Sequence, residues 1–290
     1  MFESKAIGSQ ADMAANVDIS KVHGGYFASQ ENIRVFDELG IGRIVEHLPH
    51  EMFYVDFGGG QGLLAGPTRQ YLEKKGHVVE AIVADGNQMY LNKAGSLGLE
   101  TVLCNLEDFE KTDVDLITMR AVLHYNPPEK QLLILESARR ALNEDGYLVH
   151  QVSSGSDANS ELRSAVVNIP ELGRSGAGRY HWTSINETME LHKQAGFSTT
   201  ELVGFAPPNS WGPEEQWERF NGERLKKAIA SNDTDMISSI EADHRTYLKR
   251  ANLIIEDFFR RFGEKETGIE RLANGSYIIH YQYPILLSKK

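Results

Sequence analysis

The chain has 290 residues, 41 of them acidic and 30 basic, with a net charge of −11. That length can bury a full core, as one globular domain with a large appendage or as two domains. The charge argues against a nucleic-acid or anionic-membrane surface, which needs clustered Lys and Arg, and suits a neutral or cationic small ligand.

The chain begins MFESKAIGSQADMAANVD, without the apolar run of a signal peptide, and nowhere do about 18 apolar residues follow one another as a spanning helix needs. The single cysteine, Cys104, can form neither an internal disulfide nor a cysteine cluster for zinc. Both features lead us to expect a cytoplasmic protein. Within residues 1–49, Ile33, Phe36, Leu39, Ile41, Ile44, Val45 and Leu48 recur near helical spacing, so a helical cap segment is expected there.

From Phe53 onward, short apolar runs alternate with helical patterns, the signature of parallel strands joined by crossover helices. Strands are expected at 52–57, 78–84, about 100–104, 114–119 and 146–152, with helices at 64–75, 87–95 and 127–142. Asn126 is expected to cap the last of these helices, with Pro127 in its first position and Glu129 reaching back to the cap. A polar, Gly- and Ser-rich interval covers 153–179, followed by a helix at 184–195 and a strand at 197–205. An insertion at 206–274 opens with Ala206-Pro207-Pro208 and is dominated by a helical pattern over 234–262. The final strand is placed at 276–287. The expected division is therefore a cap at 1–49, a core at 50–205, the insertion, and a last core strand within 275–290.

Between the first strand and the next helix stands Tyr54-Val55-Asp56-Phe57-Gly58-Gly59-Gly60-Gln61-Gly62. An open parallel sheet binds ligands at this place, in the crevice at the carboxyl ends of its strands. A tight turn that needs glycine only for positive φ is the alternative. A dinucleotide fingerprint fails because Leu63 stands where its third glycine belongs, and Gly62-Leu63-Leu64 offers no lysine for a phosphate loop.

The spacing Asp56-x-Gly58-x-Gly60-x-Gly62 resembles the first motif of the class I S-adenosylmethionine-dependent methyltransferases, in their small-molecule branch. Three later segments are similar to that family's in the same order: Ala84-Asp85-Gly86-Asn87-Gln88-Met89, Cys104-Asn105-Leu106-Glu107-Asp108-Phe109, and Asp115 to His124. The resemblance covers about residues 50–205 and the last strand. It implies an α/β fold with a doubly wound, mostly parallel seven-stranded sheet, helices on both faces, an antiparallel last strand and an added helical cap. It further implies S-adenosylmethionine as cofactor. Asp85 and Gly86 then serve the ribose, Asn105, Leu106 and Met89 the adenosine, and Asp56, Gly58, Gly59, Gly60, Gly62, Arg120 and Ala121 the methionine end. Each assignment has a plainer alternative: Asp85 an exposed turn acid, Asp56 a brace for the loop, Met89 a core residue, Arg120 a surface or internal salt bridge. Asn105 departs from the family, which often has Asp there.

Methyl transfer from a sulfonium needs alignment more than a strong base. Where the acceptor must lose a proton, His124 and His181 are the candidates, each with a structural role as the alternative. Tyr26, Phe27, Tyr180, Trp182 and Trp211 are candidate walls for a small-molecule acceptor and its sulfonium partner. The insertion is expected to cover the crevice, or else to form a homodimer surface. No metal-ligand spacing is present. A non-methylating enzyme on the same cofactor, and a silent cofactor-binding regulatory module, stay open at this point.

Overall fold

The computed structural model describes residues 25–153, 155–172 and 180–290; residues 1–24 of the expected cap, and residues 154 and 173–179 of the polar interval, lie outside the described residues. In chain order the elements are α1 (Gln30–Leu39), β1 (Glu51–Phe57), α2 (Ala65–Lys74), β2 (Val78–Asp85), α3 (Gln88–Ser96), β3 (Glu100–Leu103), β4 (Val114–Arg120), α4 (Pro128–Ala141), β5 (Leu142–Gln151), α5 (Asp157–Val167), α6 (Ile185–Gln194), β6 (Thr199–Trp211), α7 (Pro213–Ala230), α8 (Thr234–Thr267), β7 (Ile269–Arg271) and β8 (Tyr277–Lys289).

The sheet runs β3-β2-β1-β4-β5-β8-β6, with β7 paired to β8 as a short eighth strand. β1 pairs parallel with both β2 and β4, so the order reverses direction at β1 and opens a crevice at its carboxyl end. β8 is antiparallel to both β5 and β6. Alternate residues of β1 serve opposite faces: Met52 and Tyr54 join the core under α1 and α2, whereas Val55 and Phe57 join Ile134, Leu135 and Ala138 of α4. Asp56 therefore belongs to the α1–α2 face, at the last turn of the strand before the glycines.

Several local expectations are corrected. α4 starts one residue later than expected: Pro127 is the cap and Pro128 the first helical residue, while Asn126 Nδ2 donates instead to Val122 O at 3.2 Å. A proline at the first position has no N–H to leave unsatisfied, so no side-chain cap is required there. β5 starts at Leu142 rather than 146, because the ladder to β4 continues past an irregularity between the Val114 and Leu116 pairings. The polar interval contains the helix α5, whose cap Ser156 accepts from Asn159 N–H. β6 continues through Pro207 and Pro208 to Trp211, six residues past the expected end of the strand at 205, with a register shift between Ala206 and Asn209. Prolines survive there because β6 is the edge of the sheet and donates on one side only.

The long β6–β8 pairing positions the site. β5 last meets β8 at Gln151 and Ile285, yet β6 stays paired to β8 as far as Trp211 and Ile279. The stretch Ala206–Trp211 with Ile279–Tyr283 thus stands beyond the carboxyl ends of the parallel strands. α7 and α8 follow from it, and α8 packs on α5. α8 is broken at Gly263, whose φ of 76° and ψ of 174° are not helical. No helix among the described residues is long and apolar enough to cross a membrane.

Candidate functional site

The glycine loop is folded by its own backbone. Gly58 N–H donates to Ala84 O at 2.7 Å, Gly60 N–H to Asp85 Oδ2 at 3.0 Å, and Gly62 N–H to Gly59 O at 2.9 Å. Gly58, Gly60 and Gly62 have φ of 67°, 55° and 76°, a region L side chains avoid. A Cβ would also fall 2.5 Å from Val122 Cγ2 at Gly58, 2.5 Å from Asp56 Oδ2 at Gly59, and 2.6 Å from Leu99 Cδ1 at Gly62. Conformation and packing inside the protein therefore suffice to require these glycines.

Asp85, at the end of β2, receives Gly60 N–H on one oxygen and Asn87 N–H on the other, at 3.0 and 2.8 Å. Burial pushes its carboxyl up, and the backbone donors Asn87, Gly60 and Gly86 pull it back. It is not an exposed turn acid: it ties the glycine loop to β2, and each oxygen keeps a lone pair for a further donor. Asn87 caps α3 by accepting from Met89 and Tyr90 N–H. Met89 is 51 % exposed beside that cap, so its core alternative does not hold. Asn105 precedes the turn Leu106–Asp108 without a side-chain capping bond; its Nδ2 donates to Asp108 Oδ2 at 3.1 Å, and Leu106 is buried.

At the ends of β1, β4 and β5, polar groups are buried without enough partners. Thr118 Oγ1 donates to Asp56 Oδ1 at 2.8 Å; its single hydrogen being used, Tyr54 OH donates to it, also at 2.8 Å. Asp56 Oδ2 has no hydrogen-bond partner. Burial pushes the Asp56 carboxyl up to about 7, against the Thr118 hydrogen bond and the Arg120 guanidinium. Arg120 Nη2 donates to Phe27 O at 2.6 Å and its guanidinium lies 5.4 Å from the Phe27 ring centroid, while Nη1 is buried and unpartnered. No carboxylate among the described residues is in ion-pair contact with it, so the internal salt bridge is not formed. Directly across the ladder from Arg120 is Gln151, whose amide oxygen and nitrogen both lack partners. Next to Arg120, Ala121 takes φ of 58° and donates its N–H to Gln151 O at 3.0 Å; a non-glycine residue held there is a strained position of the kind that gathers at functional sites.

Buried polar atoms are almost always hydrogen-bonded, so a cluster left open at one sheet edge calls for an external partner. A zwitterionic amino-acid tail fits it: an ammonium for Asp56 Oδ2 and a carboxylate for Arg120 Nη1. The donor set thus suits the methionine end of S-adenosylmethionine, and Asp85 with its spare lone pairs suits a ribose.

His124 is in the turn Leu123–Tyr125, buried, its ring stacked on Trp182 at 4.8 Å with Tyr125 and Tyr180 alongside. Together with Ala121, His150, Ser153, Trp182 and neighbours it lines a cavity of about 10 Å³, room for about one water. His181 is joined to it only by backbone, N–H to His124 O at 3.1 Å, and does not line that cavity. The expected aromatics divide. Tyr26 and Phe27 pack on Tyr283 near Arg120, Tyr180 and Trp182 surround His124, and Trp211 borders a different cavity. That one, about 300 Å³ between the end of β6 and α7, is larger but touches neither the glycine loop nor Ala121, and we do not place the reaction there.

Sequence reasoning missed Thr118, Gln151, Asp37 and the buried pair His150 and His192. A polar residue ending an apolar strand, as Gln151 ends Leu148-Val149-His150-Gln151, was the available signal. Asp37 in α1, which accepts from Thr68 Oγ1 at 2.7 Å and is pushed up to about 7 by burial, gave none, since helical polar residues are ordinarily solvated. Among the described residues no group of three or more His, Cys, Asp or Glu is placed to hold a metal ion.

A family profile described as "Methyltransferase domain" matches residues 29–202. Among solved structures the chain is similar to YcgJ from Bacillus subtilis, with a TM-score of 0.58 and 13 % identity over 86 % of this chain and 97 % of that one. It is similar also to the BH2331 protein of Bacillus halodurans C-125, with a TM-score of 0.60 and 17 % identity over 88 % and 98 %. A third is the phosphoethanolamine N-methyltransferase 2 of Haemonchus contortus, in complex with phosphomonomethylethanolamine and S-adenosylhomocysteine. There the TM-score is 0.51 and the identity 12 %, over 98 % of this chain and 60 % of that one. At such identities the likeness establishes the fold alone. No match is found among curated proteins.

Proposed function

The chain belongs to the methyltransferase-domain family, whose class I members use S-adenosylmethionine, and from that premise we propose that it methylates an O, N or C atom of a small-molecule acceptor. When bound, the cofactor supplies an electrophilic methyl group on a sulfonium sulfur. The observation that carries the reading is the set of unpartnered polar atoms on Asp56, Arg120 and Gln151, at the ends of three adjacent strands.

We assign Asp56, Arg120, Ala121 and the loop Gly58, Gly59, Gly60 and Gly62 to the methionine end. Asp85 and Gly86 are assigned to the ribose, with Met89, Asn105 and Leu106 at the adenine. Asp56 attracts the ammonium by charge only when ionised. The strand ends hold the donor in one orientation, which is most of what in-line transfer requires. His124 is the better placed of the two candidate bases, because it shares a cavity with Ala121 and His181 does not. Room for about one water cannot admit an acceptor, so entry requires the walls of this cavity, Trp182 and Thr183 among them, to move aside. A single cysteine suits the reducing cytoplasm, where we place the protein.

Isothermal titration with S-adenosylhomocysteine tests the site. Saturable binding that is lost when Asp56 and Arg120 are both neutralised supports it, and no binding to the intact chain defeats it. Turnover with an acceptor library, read as release of S-adenosylhomocysteine, then separates an enzyme from a silent cofactor-binding module.

A further inference from the structure

Arg163 in α5 is among the largest side chains in the protein to be fully buried, at 2 % exposure. A guanidinium has five N–H donors and is charged at any physiological pH. Two are used: Nη1 donates to Ser153 O, and Nη2 to Ser153 Oγ at 3.4 Å. The rest of its surroundings are aromatic, with the Tyr281 ring centroid 4.0 Å and the Trp182 centroid 4.7 Å from the guanidinium carbon. No carboxylate among the described residues pairs with it. Burial lowers its pKa, the hydroxyls of Tyr281 and Tyr283 raise it, and the second cation Arg219 lowers it again. Buried charges are ordinarily paired, since desolvation without a counter-ion is expensive, and cation–π contacts recover only part of that cost.

Its position gives a counter-ion, absent among the described residues, a role. Ser153, which holds Arg163, also accepts from Trp182 Nε1 at 3.2 Å and lines the small cavity with Ala121 and His124. Trp182 is stacked between that histidine and Arg163. On the other side, Tyr281 borders the larger cavity that Arg219 also lines. The guanidinium is thus one aromatic ring away from the space where we place the acceptor.

We propose that Arg163 is an oxyanion receptor in the acceptor site, so that the acceptor is a small molecule with an apolar or aromatic body carrying a carboxylate or phosphate. This rests on the methyl-transfer reading and deepens it. Guanidinium matches a two-oxygen anion with two parallel N–H bonds, and the rings of Tyr281 and Trp182 offer a flat apolar wall beside it.

The test titrates benzoate, phenyl phosphate and neutral benzamide into the intact chain and into Arg163→Lys and Arg163→Met, with and without S-adenosylhomocysteine, by calorimetry and tryptophan fluorescence. At least one oxyanion is expected to bind the intact chain about tenfold or more tightly than benzamide, and Arg163→Met to lose that preference. Arg163→Lys, which keeps the charge but not the fork, is expected to bind the oxyanion more weakly than the intact chain and to bind S-adenosylhomocysteine unchanged. Which oxyanion binds tells carboxylate from phosphate acceptors. Binding of S-adenosylhomocysteine without any oxyanion preference, or an unaltered preference in the folded variants, overturns the inference alone. Failure of S-adenosylhomocysteine to bind the intact chain overturns the methyl-transfer reading instead.

Discussion

His150 of β5 and His192 of α6 face each other in the core with Nδ1 and Nε2 2.9 Å apart, and the chain of contacts continues from His192 Nδ1 to Ser288 Oγ at 2.7 Å and on to Thr200 Oγ1 at 2.8 Å. Both rings are fully buried. Burial holds both below the usual histidine range, His192 down to about 3, and His150 is lowered further by His192 and His124. Each is therefore neutral, with one N–H, and a line of single hydrogens fits Thr200, Ser288, His192 and His150 together.

A histidine kept neutral by burial costs stability as acid protonates it in the unfolded chain only. The penalty begins near the unfolded pKa of about 6.5 and grows by roughly 1.4 kcal/mol per pH unit until the folded pKa is reached. His192→Gln removes the penalty along with the ring. In urea denaturation the variant is expected to be less stable than the parent at pH 7, and the gap to shrink by about 2 kcal/mol at pH 5. A constant gap would show that His192 titrates normally in the fold.

The glycine loop predicts a contrast between two substitutions of the same kind. Gly58→Ala puts a methyl 2.5 Å from Val122 Cγ2 at a φ of 67°. It is expected to destabilise by about 2–4 kcal/mol, or roughly 5–10 °C in thermal melting, from strain and overpacking together. Gly95, in the last turn of α3, has nothing within 4 Å of its Cβ direction and no positive φ. Gly95→Ala is expected to be neutral or to stabilise by up to about 1 kcal/mol, because alanine loses less freedom in a helix. Equal melting temperatures for the two variants would remove the packing account of the loop.

Asp85 combines two tasks, since the carboxylate that we assign to the ribose also holds Gly60 and Asn87 N–H. Asp85→Ala is expected to weaken S-adenosylhomocysteine binding by roughly 1.5–3 kcal/mol, about 10- to 150-fold, and to lower stability by about 1–3 kcal/mol through the abandoned backbone donors. Calorimetry and denaturation measure the two separately. Lost stability with unchanged affinity would leave Asp85 as a loop brace only.

What the sequence disclosed and what it concealed divide along periodicity. The strands β1, β2, β4 and β8 are apolar runs that only a buried sheet can satisfy, and the glycine spacing marked the crevice at the end of β1. The extension of β6 past Pro207 and Pro208 was hidden, because prolines argue against a strand unless it is known to be an edge. α5 was hidden by its polar composition: Asn159, Ser160 and Arg163 are buried there by tertiary contacts that no local pattern announces. The same holds for the site. Asp56 and Asp85 stand beside recognisable glycines, whereas Gln151 and Arg163 acquire meaning only from neighbours on β4, β8 and the Trp182 segment.

Asp56 gives the cofactor site a pH dependence with a definite sign. Without ligand its carboxyl is pushed up to about 7 by burial, so at pH 6 most molecules carry it protonated. A folded pKa above the unfolded value of 3.8 stabilises the fold at low pH, and the contribution is lost as pH rises through about 7. Binding of an ammonium runs the other way, because only the ionised carboxylate attracts it. S-Adenosylhomocysteine should therefore bind about tenfold more tightly at pH 8 than at pH 6, levelling off above pH 8. Asp56→Asn should bind weakly at both pH values, with no such slope, and should itself be more stable than the parent above pH 7, where the parent holds a buried charge. An affinity in the intact chain that is flat from pH 6 to pH 8 would mean that the ammonium is met elsewhere, and would leave the unpartnered oxygen of Asp56 without its assigned role.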